Sequence, residues 1–161
     1  MKIRKAISSD INDILIIYER ARSFMKETGN PNQWRDNKPE KEEILKDINN
    51  SNHYIVYDED GIYGAFSFII GIDPTYNYIE GAWLNNENYG TLHKVASAQT
   101  KHGILSFILG YCSALVDNIR IDTHEDNKVM QHLILKNGFT KCGIIYLLNG
   151  EARIAYQKKI R

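Results

Sequence analysis

Apolar residues recur with helical spacing near the start of the chain: Ile11, Ile14, Leu15, Tyr18, Ala21 and Met25. The pattern predicts an amphipathic helix from Ser9 to about Thr28, with Ser8, Ser9 and Asp10 as N-cap candidates and Gly29 as its stop. A short alternating run, Lys2 to Ala6, precedes it as a strand. After a loop from Gly29 to Trp34, Pro39 to about Ile48 reads as a second helix, with proline at its start and acidic residues in its first turn. Tyr54–Tyr57 and Ile62–Ile70 alternate as strands joined at Asp60-Gly61. The segment from Ile72 to Asn88 has no clear period; a short strand at Tyr78–Gly81 is its only candidate element. Beyond it come a strand at Thr91–Ser97, a strongly apolar helix at Gly103–Val116 and a strand at Ile119–Thr123. A helix at Asn127–Asn137 is closed by Gly138. Phe139–Leu147 and Ala152–Lys158 then form a hairpin through Asn149-Gly150, whose residue types suit a type I′ turn. The order β-α-α-β-β-loop-β-α-β-α-β-β is that of one alternating α/β domain spanning residues 1–161.

The chain has 161 residues, enough for one well-buried core. Lys+Arg and Asp+Glu are 20 each, so the net charge is zero. The basic footprint of a nucleic-acid binder is absent at this level, so no nucleic-acid partner is expected. No apolar run reaches the length of a membrane span, and no signal core follows the basic start, so neither a membrane partner nor a secretory leader is expected. The two cysteines, Cys112 and Cys142, lie among apolar residues without CxxC spacing and read as buried free thiols in the cytoplasm. The histidines follow no ligand spacing, and no metal site is expected.

Two stretches carry the chemistry. The first is Gln99–Ser106, a turn of small and polar residues opening a helix. Such a turn exposes backbone N–H groups at the positive end of a helix dipole, a setting for a pyrophosphate. Lys101 adds a charge there, and Gly103 lets the backbone approach a ligand closely. The second is Ile119–Asn127 followed by Lys136-Asn137-Gly138-Phe139: a strand, a polar turn, an Asn-capped helix and a Gly-aromatic pair.

Together with Tyr89–Ala96, these stretches resemble the cofactor-binding core of the GNAT superfamily of acyl-CoA-dependent N-acetyltransferases, in particular a subgroup common in low-GC bacteria. The likeness covers nearly the whole chain. It implies the GNAT fold, a mixed and mostly antiparallel central sheet flanked by about four helices (α/β in the broad sense, α+β in the strict one). It further implies acetyl-CoA as donor and a primary amine of a small molecule or peptide as acceptor. Direct attack in a ternary complex would join them, and homodimers are common among relatives.

The family pattern Arg/Gln-x-x-Gly-x-Gly/Ala falls on Thr100–Leu105, with only Gly103 matching. The resemblance assigns the donor to Val95, Ala96 and Ser97, to Thr100, Lys101, His102, Gly103, Ile104 and Leu105, and to Asn127. The strand amides near Val95–Ser97 would pair with pantetheine and polarise the thioester carbonyl. The usual acidic Tyr of the following helix is Ile134 here.

An acceptor amine with an ordinary value of roughly 10.4 must lose a proton before attack. Candidate bases are Glu80 in the aromatic-rich insert, His93 on the strand face of Val95 and Ser97, and His124 at a strand end. Trp34 and Trp83, with Tyr76, Tyr78 and Tyr89, are candidates for the acceptor wall. The departures at Thr100, Leu105 and Ile134 also suit an acyl-CoA-binding sensor, or a fold relative working through a partner surface.

Overall fold

The computed structural model describes residues 1–161. Eight strands form one sheet: β1 (Lys2–Lys5), β2 (His53–Asp58), β3 (Gly61–Ile70), β4 (Glu80–Gly81), β5 (Gly90–Ser97), β6 (Asn118–Thr123), β7 (Thr140–Tyr146) and β8 (Ala152–Lys159). Their spatial order is β1-β2-β3-β5-β6-β8-β7-β4. Every neighbouring pair is antiparallel except β5–β6. Helices α1 (Ile11–Glu27) and α2 (Lys41–Asn49) cover one face, while α3 (Ile104–Ser113) and α4 (Lys128–Lys136) cover the other.

The side-chain alternation of the strands explains the two layers. Ile55, Ala65 and Ala96 meet Ile14, Tyr18 and Ile44 on the α1–α2 side. Tyr54, Val56, Phe66, Leu92, Ile119 and Ile121 meet Ile108, Cys112 and Ile134 on the α3–α4 side. A smaller cluster of Tyr76, Tyr89, Ile145 and Ala155, with Trp83 packed on it, fills the first face beyond α1. No helix is long and apolar enough to cross a membrane, and no cluster of His, Cys, Asp or Glu has the grouping of a metal site.

Element boundaries differ from the sequence reading where side chains take other partners. Ser8–Asp10 is a 3-10 turn, and Asp10 does not cap α1; its carboxylate accepts from the Ile7 amide (2.8 Å) and pairs with Arg4. Helix α2 starts at Lys41, because Glu43 reaches back to the Glu40 amide (2.9 Å) and fixes the first turn there. The β2–β3 loop is Glu59-Asp60, with Asp58 opposite Gly61.

The β7–β8 hairpin is not a type I′ turn. Leu147 and Glu151 pair through a 2.9 Å bond, and the Gly150 amide donates to the Leu147 carbonyl at 2.8 Å. Only Gly150 in this loop has positive φ (86°), which describes a three-residue loop closed by a left-handed residue. The irregular insert holds a 3-10 turn at Pro74–Tyr76 and only a two-residue strand, β4. There Gly81 and Gly143 face each other so closely that a Cβ on either would strike the opposite backbone.

Candidate functional site

Strands β5 and β6 pair at only two positions, Gly90↔Ile119 and Thr91↔Arg120. Past these they part, and a cleft of about 720 Å³ opens between them. His93, Lys94 and Val95 of β5 form its floor, and Ile121, Asp122 and Thr123 of β6 form one wall with Asn127 and Met130. Gln33, Trp34, Arg35 and Lys38 from the α1–α2 connection form the other wall. The rim comes from the β7–β8 hairpin, at Leu147–Asn149, Glu151 and Arg153.

A bulge shapes the floor. The β3–β5 register runs from Ser67↔His93 to Ala65↔Ala96, so Lys94 and Val95 together oppose Phe66. Lys94 sits at φ 54°, an uncommon backbone for a lysine. Two contacts hold it: the Tyr18 hydroxyl donates to the Lys94 carbonyl at 2.6 Å, and its ammonium pairs with Asp47 at 2.8 Å. Beneath it, the Ser67 hydroxyl donates to Asp47 at 2.6 Å and accepts from His53 Nδ1 at 2.8 Å. Burial pushes the His53 ring down to about 4 against the pull of Asp47, so it is neutral. A bulge of this kind re-aims the backbone of a strand at an adjacent site.

His93 and Asp73 form the principal polar pair. His93 Nε2 lies 2.8 Å from Asp73 Oδ2. Asp73 Oδ1 accepts from the Thr75 amide (2.9 Å) and hydroxyl (2.7 Å). Burial pushes the Asp73 carboxyl up, but the bonds from His93 and Thr75 outweigh it and hold the group down to about 2. A carboxylate only accepts hydrogen bonds, so Nε2 carries a proton, and in the neutral ring Nδ1 is the nitrogen with the lone pair. No group of the chain bonds to Nδ1. Opposite, Tyr76 packs its ring near His93 (centroids 6.2 Å apart) and donates its hydroxyl to Asp122 Oδ2 at 2.6 Å.

At the far end of β5, the amides from Thr100 to Ser106 donate to no oxygen of the chain. Gly103 precedes α3 at φ 76°, and open space lies where its Cβ would be. Seven successive amides beside a helix N-terminus suit a polyanion. Lys101 flanks them but leans back to Asp58 (3.4 Å) and over the Tyr63 ring (4.5 Å).

The cleft brings together four of the residues singled out from sequence: Trp34, His93, Val95 and Asn127. Asn127 also caps α4, its Oδ1 accepting from the Met130 amide at 3.0 Å, and its Nδ2 donates to Gln33 at 2.9 Å. Ala96 is buried against α1, and the Ser97 hydroxyl accepts from the Gln99 amide at 3.0 Å. Thr100, Lys101, His102 and Gly103 make the turn before α3. Ile104 and Leu105 turn their side chains into the core and offer only amides.

Of the other candidates, Tyr76 and Tyr89 are packed in the smaller core cluster and Tyr78 is exposed, none of them lining the cleft, and Glu80, His124 and Trp83 are not brought to it either. Glu80 lies exposed on the sheet edge and accepts from the Tyr146 hydroxyl at 2.8 Å. His124 is spent on its own turn, its Nδ1 accepting from the Asp126 amide at 3.0 Å. Trp83 packs under the Arg120 guanidinium (4.0 Å) and donates to the Tyr76 carbonyl at 2.9 Å. Asp73, Asp122, Gln33 and Arg153 lie on the cleft but gave no sequence signal, since their partners are distant in the chain or set in the irregular insert.

No protein-family model matches the chain, and no curated protein sequence matches it. Solved structures do. A GNAT-family acetyltransferase from Streptococcus agalactiae is 31% identical, with a TM-score of 0.88 over 98% of this chain and 94% of that one. A GNAT-family acetyltransferase from Listeria monocytogenes is 20% identical, with a TM-score of 0.72 over 98% and 94%. GphF, a GNAT-like decarboxylase solved with isobutyryl-CoA, is 15% identical, with a TM-score of 0.68 over the full length of both chains. The last two share the fold. The first, alike in sequence and in nearly every element, carries the assignment: this chain belongs to the GNAT family of acetyltransferases and is an acyltransferase.

Proposed function

We propose that the protein transfers an acetyl group from acetyl-CoA to a primary amine of a small molecule or peptide, by direct attack with both substrates bound. The observation that carries this reading is the parting of β5 from β6 directly beside the His93–Asp73 pair. The free edges of the two strands offer unpaired backbone groups to an extended pantetheine arm. The amides of Thr100–Ser106 would take the pyrophosphate, and an amide of β5 near Val95 would polarise the thioester carbonyl. That GphF was solved with an acyl-CoA supports such a donor for this fold.

His93 is the proposed base. Asp73 fixes its ring and tautomer, and Nδ1 takes the proton of the incoming ammonium. Asp122 offers the second carboxylate, with Oδ1 free to hold that ammonium before attack. Trp34 supplies an apolar side to the acceptor pocket. The new N–C bond forms with the amine's lone pair, and the C–S pair leaves on sulfur. No enzyme thiol takes part: burial pushes Cys112 up to about 12, leaving no thiolate near neutral pH.

The test is CoA release from acetyl-CoA in the presence of polyamines, amino acids, aminoglycosides and short peptides. Wild type should turn over at least one class, and His93→Gln should lower turnover by about a hundredfold with acetyl-CoA affinity kept. Binding of acetyl-CoA without release for any amine would favour an acyl-CoA sensor, the reading that the apolar, fully buried Ile134 also suits.

A further inference from the structure

We infer that Tyr18 is a positioning residue for acyl transfer: its hydroxyl holds the Lys94–Val95 peptide so that the Val95 N–H faces the thioester oxygen. This rests on the acetyl-CoA reading above. Tyr18 lies within α1 without exposed surface, its ring edge-on to Trp34 (centroids 5.5 Å apart). Of the four buried residues of α1, Ile14, Ile17, Tyr18 and Ala21, it alone has a polar side-chain atom. That hydroxyl reaches a residue 76 positions further along the chain, donating to the Lys94 carbonyl at 2.6 Å. Burial, and then the charge of Asp47, hold the phenol well above its ordinary value, so it keeps the proton it donates.

The bond fixes a direction. A strand carbonyl ordinarily lies in the sheet and pairs with a neighbouring strand. Neither β3 nor β6 registers with Lys94 or Val95, and the Lys94 carbonyl turns to α1 instead. The C=O and N–H of one trans peptide point opposite ways. The Val95 N–H is therefore aimed away from α1, toward the part of the cleft where Val95 and Met130 lie against the α3–α4 core. The bulge does not itself require a lysine at φ 54°, since glycine takes that backbone without strain. Strain of this kind lasts only where the surroundings over-determine it. Asp47 holds the ammonium and Tyr18 the carbonyl, and only the second bond sets the peptide plane. As the amine nitrogen bonds to the thioester carbon, the C=O π pair moves onto oxygen and the Val95 N–H donates to it. The pair returns as the C–S bond breaks onto sulfur. His93 takes one proton of the ammonium, and the second, shed by the new amide nitrogen, reaches the thiolate through solvent, giving free CoA.

The test is difference infrared spectroscopy of acetyl-CoA, isotope-labelled at the carbonyl carbon, bound to the whole protein. Wild type should lower the thioester C=O stretch relative to free acetyl-CoA. Tyr18→Phe should lose about half of that lowering or more, while its calorimetric affinity for acetyl-CoA stays within about twofold of wild type. With any amine that releases CoA, kcat should fall about tenfold and KM for acetyl-CoA should stay within about twofold. Asp47→Asn loosens the same support at the lysine's side chain, so it should melt lower yet keep the lowering. A lowering unchanged in Tyr18→Phe, or lost as fully in Asp47→Asn, would overturn the assignment. So would an affinity of Tyr18→Phe weakened beyond about twofold, the mark of a general structural role. Wild-type binding without any lowering would overturn this inference alone. Failure of wild type to bind acetyl-CoA would overturn the donor-site reading and this one with it.

Discussion

Replacing Asp73 with asparagine removes one charge and reverses one hydrogen-bond polarity. Asp73 is little exposed (18% of its side chain) and accepts three bonds, two from Thr75 and one from His93. A carboxyl held at about 2 rather than at its ordinary 3.8 contributes about 2 kcal/mol, at roughly 1.4 kcal/mol per pH unit. The sign follows from the depressed value. The contribution is complete above the unfolded value and disappears as the pH falls through the folded one. Urea unfolding of wild type and Asp73→Asn should therefore differ by about 2 kcal/mol at neutral pH. The gap should close between about pH 4 and pH 2. A second effect is chemical. The asparagine can keep the Thr75 bonds with its oxygen only by turning its NH2 toward Nε2. Imidazole must then carry its proton on Nδ1, where the base's lone pair should be. Turnover should fall by about a hundredfold or more, as for loss of a general base. A stability gap that is absent at neutral pH, or unchanged on acidification, would refute the reasoning.

Other substitutions separate the parts of the site. Gly103→Glu should weaken acetyl-CoA binding more than about tenfold by setting a carboxylate against the phosphates. It should destabilise the fold by only about 1–2 kcal/mol, the penalty of left-handed backbone; unchanged affinity by calorimetry would remove the phosphate turn. Glu80→Gln should leave CoA release within about twofold of wild type, because the Glu80 carboxylate hydrogen-bonds only Tyr146, at the exposed edge. A tenfold loss would return it to the mechanism. Gly150→Val should lower the melting temperature by about 3–6 °C, since a β-branched residue is strained at φ 86°. An unchanged melting curve would contradict the loop assignment.

Much of the fold was legible in local pattern. The apolar period of α1, the Asn127 cap of α4, its Gly138 stop and the alternation of β2, β3 and β8 depend on residues near each other in sequence. So does the turn before α3, where glycine ahead of a helix is itself the signal. The His93–Asp73 pair was half legible. His93 could be placed on a strand face, but its partner Asp73 lies 20 residues earlier, in a segment without period. Glu80 and Trp83 drew interest as a carboxylate and an aromatic in the same insert. Only packing reveals that β4 pairs with β7 at the sheet edge and that Arg120 covers Trp83. The Asp47–Ser67–His53 support under the Lys94 bulge joins three elements, so no local pattern announces it.

The account stands on the gap between β5 and β6 being the seat of an acyl-CoA. Calorimetric titration of the wild-type protein with acetyl-CoA tests this most directly. The account predicts saturable one-to-one binding in the micromolar range, lost in Gly103→Glu; no heat of binding at millimolar acetyl-CoA would contradict it.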